Sequence, residues 1–381
     1  MFLHSKNSSI FAKNFATKNF AMKNPFKFGT IVEDEFFTDR QEELLYSCRV
    51  MDSANHLALI SPRRFGKSSL VLKAVKQLKR PYILLNMQSI TNTKDLSNRI
   101  LEAVLKLYPM KNIKVLMRNF RIVPTITTNP MTDGVEVSFK PVSKETSDMI
   151  LEDVMQLVNE VSTEKKKVIV IFDEFQEIKE IEKDLDKKLR AILQLQDKVN
   201  FIFLGSQESM MEEIFNSKKS PFYHFGLIMQ LKRIPEGEFF QFLKERFDNI
   251  TPESGQISNE ILKVTHCHPY YTQQLAFQTW DAIQYQKIEN NVVGQAIEQL
   301  IQMHDLDFER FWVNFNKMDR NTLMLLAQGK NPLTQRELPT STSFSSLKRL
   351  TKNGYVIKTE TYEIEDPFLQ RWIQQNILSS K

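Results

Sequence analysis

The stretch Ser61-Pro62-Arg63-Arg64-Phe65-Gly66-Lys67-Ser68-Ser69 constrains this chain more than any other. The apolar run Leu57-Ala58-Leu59-Ile60 precedes it, and the helical pattern Leu70-Val71-Leu72-Lys73-Ala74-Val75 follows. A strand, a loop ending in Gly-Lys-Ser and a helix make the context of a phosphate-binding loop. Backbone N–H groups of such a loop curl around phosphates, and the positive end of the helix faces the anion. Residues Ser61 to Ser69 are therefore the expected nucleotide cradle, with Lys67 reaching the terminal phosphates and the Ser68 hydroxyl ligating Mg²⁺. The pattern G-x-x-x-x-G-K-[ST] begins here with Ser61 in place of glycine. Serine reaches positive φ only at a cost, so the opening of the loop is expected to be reshaped.

A second element supports the first. Val168-Ile169-Val170-Ile171-Phe172 runs straight into Asp173-Glu174-Phe175. Apolar residues without polar alternation suit a central parallel strand buried on both faces. Two acids then stand at its carboxyl end, where open α/β sheets place their ligands. This is a Walker B arrangement, in which Asp173 would hold Mg²⁺ through its water shell and Glu174 would polarise the attacking water. Phe201-Ile202-Phe203-Leu204-Gly205-Ser206-Gln207 reads as a further buried strand with a polar end. Ser206 and Gln207 are candidates to touch phosphate-bound water there. The two motifs together predict ATP or GTP as ligand.

Length and composition set the frame. A chain of 381 residues has room for two or three domains at roughly 100–200 residues each. Its apolar share of 41% and charged share of 25% are those of a soluble globular protein. No apolar run approaches the ~18 residues of a membrane helix, so no membrane partner is expected. Two cysteines, Cys48 and Cys267, exclude a disulfide framework and fit a reducing cytoplasm. A net charge of +5 says little unless the charges cluster. The 28 phenylalanines are expected in the core.

Taken in order, residues 1–21 form a basic, Asn- and Ser-rich stretch, expected to be a disordered tail or to precede a native start at Met22. The α/β succession of 22–234 predicts a P-loop core with a doubly wound sheet of about five parallel strands. Within it a helix is expected from Asp39 to Met51 with Thr38 as N-cap, and another to Leu107 with Thr93 as N-cap. Residues 109–142 break the rhythm. Arg121–Thr127 and Val135–Phe139 flank Asp133-Gly134, which predicts a hairpin inserted at the edge of the sheet.

From Pro235 to about residue 316 the pattern is helical only, the form of a lid subdomain. Residues 317–381 read as a winged helix-turn-helix: helices at Arg320–Ala327, Thr334–Leu338 and Ser343–Lys352, a C′ glycine at Gly354, a wing hairpin to Ile364, and a closing helix from Asp366. Phe344, Leu347 and Leu350 would face the core of this unit. Lys348, Arg349 and Lys352 would face outward and are the candidate DNA contacts. The acidic wing residues Glu360, Glu363, Glu365 and Asp366 weigh against that contact. His266-Cys267-His268 puts three metal-capable side chains side by side, but neighbours in sequence rarely converge on one ion.

These residues resemble a known family. Phe36-Phe37-Thr38-Asp39-Arg40-Gln41-Glu42-Glu43-Leu44, the Pro-Arg-Arg-Phe-Gly-Lys-Ser-Ser-Leu loop, Ile171-Phe172-Asp173-Glu174-Phe175-Gln176, Leu204-Gly205-Ser206 and His268-Pro269-Tyr270-Tyr271 are similar to the archaeal-type ATPases. This is a prokaryotic branch of the AAA+/STAND ATPases, found in bacteria as well as archaea. The resemblance covers about residues 23–375 and implies an AAA+ core, a helical lid and a winged-helix tail. It also implies that Arg40 lies beside the nucleotide and that Pro269 packs near the adenine, with Cys267 at a position the family fills with glycine. Arg233 and Arg190 are candidates for an arginine finger.

The expected function is a Mg²⁺-dependent ATPase that uses nucleotide state as a switch, with a homo-oligomer or a protein client among its expected partners. Two alternatives stay open: a nucleotide-gated binding module without turnover, and a DNA-binding regulator tuned by ATP.

Overall fold

Five strands built almost wholly from apolar residues form one parallel sheet in the order β2-β5-β6-β1-β7. They are β1 (Leu57–Ile60), β2 (Tyr82–Asn86), β5 (Val168–Asp173), β6 (Val199–Gly205) and β7 (Leu227–Gln230). The computed structural model describes residues 23–379, apart from Asp39, 130–133, 141–142, Glu289 and 336–338. The tail 1–21 lies outside the described residues. β1 and β6 are buried throughout, and β5 in all but its last residue. The edge strands β2 and β7 keep exposed positions, as an edge must. Each crossover between parallel strands carries at least one helix, so helices cover both faces.

On one face pack the helices Thr93–Leu107, Lys144–Val161, Leu185–Leu193 and Glu208–Asn216. Much of the phenylalanine is spent here: Phe172 stacks on Phe203 at 5.6 Å, and Phe175 lies 4.6 Å from Phe203. On the other face lie Gln41–Met51 and Lys67–Leu78, in a layer that also takes in Phe65, Leu231 and Ile357. Ile357 belongs to the C-terminal hairpin, so that hairpin docks directly on the phosphate-loop layer. A third core joins the helices after residue 235 and anchors Phe26 from the N-terminal segment.

Several local expectations are corrected. The first helix starts at Gln41, and its N-cap is Arg40 in a left-handed conformation (φ 54°), not Thr38. Thr38 is buried and instead accepts a hydrogen bond from Gln273 Nε2 at 3.4 Å. Asn92, not Thr93, caps the helix Thr93–Leu107 by accepting from Asp95 N, because its side chain stands one residue outside the first turn. The inserted hairpin pairs β3 (Thr125–Asn129) with β4 (Gly134–Ser138) as a sheet of its own, not at the edge of the main sheet. It packs against the helix Thr93–Leu107. Asp133 of its expected turn lies outside the described residues.

Beyond Glu236 the chain runs through helices Glu236–Phe247, Ser254–Thr265, Pro269–Gln284 and Val292–Asn314. It continues with helices Lys317–Ala327 and Thr340–Lys352, the hairpin of β8 (Val356–Lys358) and β9 (Tyr362–Ile364), and the helix Pro367–Trp372. Most of the expected helix Thr334–Leu338 lies outside the described residues. Phe344 is 53% exposed rather than buried. Ser343, Ser346, Leu347 and Leu350 form the inner face, and at about 100° per residue Phe344 falls to its side. Among the described residues no helix is long and apolar enough to cross a membrane.

Candidate functional site

The strands point their carboxyl ends at a cavity of about 660 Å³, framed by the phosphate loop, the end of β5, the N-terminal segment and the start of the helix Pro269–Gln284. Its apolar lining includes Phe28, Ile31, Val32, Phe37, Ile234 and Tyr270, and its polar lining includes Lys67, Ser68, Asp173 and Glu174, together with Gly66. Arg63, Arg64, Phe65, Ser69, Arg40 and Pro269 also line it.

Gly66 is the left-handed N-cap of the helix Lys67–Leu78 (φ 89°), a conformation that glycine takes without strain. Ser61 is absent from the positive-φ positions, and its N–H continues the strand by donating to Gly205 O at 3.3 Å. The strained position is instead Arg64, at φ 63°. Ser61 and Pro62 serve the loop through their carbonyls: Lys67 Nζ donates to each at 2.9 Å and lies 3.4 Å from Ser61 Oγ. Burial pulls the Lys67 ammonium down to about 8, against the opposing pull of Glu174, Asp173 and Glu208.

At the end of β5, Ser68 Oγ donates to Asp173 Oδ2 at 3.1 Å, so a loop hydroxyl and a strand carboxylate meet. Burial, then the adjacent Glu174, raise the Asp173 carboxyl above its ordinary value. Two neighbouring carboxylates and a hydroxyl are a hard-oxygen donor set that suits Mg²⁺, and a divalent cation would relieve their repulsion. Glu174 is left-handed (φ 54°) and turns its side chain from the strand axis. Its Oε2 accepts from Ser206 Oγ and from Gln176 Nε2, both at 2.6 Å. Ser206 therefore reaches the site through Glu174, whereas Gln207 opens the helix Glu208–Asn216 without a side-chain cap bond. Gln176 was missed in the sequence. It is fully buried with its Oε1 unpaired, and only its place two residues after Glu174 hinted at a role.

Arg40 is 3% exposed, and its guanidinium is committed to Glu43, Phe65 O and Lys232 O. It braces the loop against the chain after β7. Ser69 Oγ accepts from Val32 N at 2.9 Å, fixing the N-terminal segment over the loop. Pro269 is the first residue of its helix, behind His266 and Cys267, both left-handed. Cys267, at φ 58°, thus takes a conformation natural to glycine. His268 Nδ1 accepts from Tyr270 N and Tyr271 N, and burial pushes the ring below its ordinary value, so the imidazole is neutral with its proton on Nε2.

The remaining candidates lie elsewhere. Arg233 pairs with Glu363 of the C-terminal hairpin at 3.1 Å. Arg190 sits over Phe225 at 4.1 Å and donates to Gln194. Lys348 and Lys352 are exposed, while Arg349 is held bidentately by Asp319 at 2.5 and 2.9 Å.

Comparisons place this geometry among known proteins. No curated protein matches the chain significantly. Among solved structures it is similar to the Walker-type ATPase of Pyrococcus abyssi, at 17% identity and a TM-score of 0.64, over 92% of this chain and 99% of that one. It is also similar to the ORC2 protein of Aeropyrum pernix in its ADP form, at 13% identity and a TM-score of 0.53, over 93% and 99%. Likeness at such identities establishes the α/β ATPase fold. Residues 37–275 match the family described as an ATPase domain predominantly from Archaea, and this chain belongs to that family.

Proposed function

We propose that the chain is a Mg²⁺-dependent ATPase acting as a nucleotide-driven switch. The observation that carries this reading is the meeting of Lys67, Ser68, Asp173 and Glu174 in one cavity that also has apolar lining residues. The apolar residues suit a base and the polar ones suit a triphosphate. Lys67 and the loop amides stabilise phosphate charge, and Glu174 orients the attacking water. Ser68 and Asp173 would hold Mg²⁺, which supplies charge neutralisation between the phosphates. Ser206 and Gln176 both donate to Glu174 Oε2, which fixes the carboxylate while its Oε1 is left to orient the water.

Steady-state phosphate release tests this. Glu174→Gln is expected to bind MgATP as the wild type does and to lose at least ~100-fold in turnover. Equal hydrolysis by both would sink the catalytic assignment. Specific activity that rises with protein concentration would point to an arginine supplied by a second copy.

One observation favours a second reading, in which residues 317–379 are a winged helix that meets DNA. Lys348 and Lys352 are exposed on the helix Thr340–Lys352. Duplex affinity that falls steeply with salt and depends on both lysines would support it. Arg349, spent on Asp319, is expected to contribute less.

A further inference from the structure

The phosphate loop, the helix Pro269–Gln284 and the C-terminal hairpin meet at one hydrogen-bonded chain. Arg64 Nη1 donates to Tyr271 Oη at 2.9 Å, and the Tyr271 hydroxyl in turn donates to Glu365 Oε2 at 3.2 Å. The Arg64 guanidinium also lies 4.6 Å from the centre of the Tyr270 ring. The other carboxylate oxygen of Glu365 faces His268 Nε2 at 3.6 Å, and the His268 ring packs on Phe65 at 4.8 Å. Both arginine-side residues of the loop, Arg64 and Phe65, are thus engaged from outside the core. Tyr271 is almost fully buried, and that burial holds its phenol well above the ordinary value, so it stays a donor. Neither Tyr271 nor Glu365 lines the cavity, whereas Arg64 does.

We infer that Tyr271 and Glu365 position Arg64, and that through them docking of the C-terminal hairpin opposes triphosphate binding in the loop. The argument is electrostatic. Arg64 is the cation between two anionic sites: Glu365, with Asp366 beside it, on one side, and the phosphate cradle on the other. A polyanion in the cradle competes with Glu365 for Arg64 and repels the carboxylates of Glu365 and Asp366 that follow the hairpin, in a partly dry setting. Arg64 holds a left-handed backbone that a non-glycine residue adopts at a cost, and the Tyr271 contact helps to keep it there. Since coupling between two equilibria is reciprocal, whatever loosens the hairpin tightens the nucleotide, and the nucleotide loosens the hairpin. The inference rests on the ATP-binding reading above and adds its regulation.

The test is MgATP affinity by calorimetry on the full chain, for the wild type, Tyr271→Phe, Glu365→Ala and the double variant. Tyr271→Phe removes one hydroxyl and keeps the ring packed on Phe368, so it leaves the fold intact. Each single variant is expected to bind roughly tenfold more tightly than the wild type, a typical coupling. The double variant should bind no more tightly than either single one, because all three cut the same chain. Hydrogen exchange in 356–364 supplies the converse: MgATP should speed it in the wild type and leave it unchanged in Tyr271→Phe. Unchanged or weaker affinity in the single variants, or additive effects in the double one, would overturn the relay alone. Absence of MgATP binding by the wild type would overturn the ATP-binding reading together with it.

Discussion

The two ends of the same five strands bury similar side chains to opposite purpose. At the amino ends, Arg80 donates to Lys167 O, to Met51 O and, at 2.6 Å, to Asn200 Oδ1. Asn200 Nδ2 in turn donates to Ser53 O and Asn55 O, both at 2.9 Å. His56 Nδ1 accepts from Phe201 N, and burial together with the nearby Arg190 lowers its ring to about 4, so it stays neutral. Here Arg80, Asn200 and His56 are spent on backbone groups and, between Arg80 and Asn200, on each other. At the carboxyl ends, Lys67 donates to Ser61 O and Pro62 O, Asp173 accepts from Ser68, Glu174 accepts from Ser206 and Gln176, Arg64 donates to Tyr271, and Gln176 Oε1 has no hydrogen-bond partner. The left-handed Arg40, Arg64 and Glu174 gather there too. Burial of a polar group does not by itself mark a site; Lys67, Arg64, Asp173 and Glu174 at the carboxyl ends line a cavity, and Arg80, Asn200 and His56 do not.

That contrast can be broken by substitution, from the largest effect downward. Lys67→Met is expected to raise the stability of the ligand-free protein by on the order of 3 kcal/mol at pH 7, because the charged lysine is disfavoured by burial. The sign follows from its depressed value: the cost is fully present below about 8 and fades as pH rises toward the ordinary 10.5, so the gain should vanish in denaturant titrations near pH 10. Arg80→Met should do the reverse, costing about 2 kcal/mol while leaving nucleotide affinity unchanged. If Arg80→Met weakened MgATP binding in the folded protein, the two ends would not be separable.

Asp173→Asn acts on the site alone. Chelating Mg²⁺ should weaken ATP binding by roughly tenfold in the wild type and have little effect in the variant, since the metal-holding carboxylate is gone. The smallest effect is expected from Asp366→Asn. Asp366 caps the last helix, accepting from Phe368 N and Leu369 N, and asparagine can do the same. Burial, and then Glu365, push the Asp366 carboxyl up to about 6. The penalty of a raised acid grows as pH rises from the ordinary 3.8 toward about 6 and is fully present above it. The variant should therefore be about 1 kcal/mol more stable than the wild type at pH 7, with no advantage at pH 4, in paired thermal melts.

Much of this molecule was legible in its sequence because local pattern and global role coincide. The unbroken apolar runs of β1, β5 and β6 specify doubly buried strands, and the Gly-Lys-Ser and Asp-Glu steps that follow them fix which end carries the chemistry. What escaped notice depends on contacts distant in sequence. The exposure of Phe344 turned on which side of its helix the core packs, a tertiary contact that spacing from Leu347 and Leu350 alone left open. The hairpin 125–138 looked like a sheet edge because alternation specifies pairing but not a neighbour. Arg64 was legible as a loop residue, but its partners Tyr271 and Glu365 lie 207 and, through Tyr271, a further 94 positions away. Gln176 carried no motif of its own.

The most direct measurement is MgATP titration into the wild type, Lys67→Met and Arg80→Met, each shown to be folded. The account predicts saturable binding by the wild type and by Arg80→Met with equal affinity, and none by Lys67→Met. Binding by Lys67→Met at wild-type affinity would contradict it, since the buried lysine at the carboxyl end would then be scaffold like the arginine at the other.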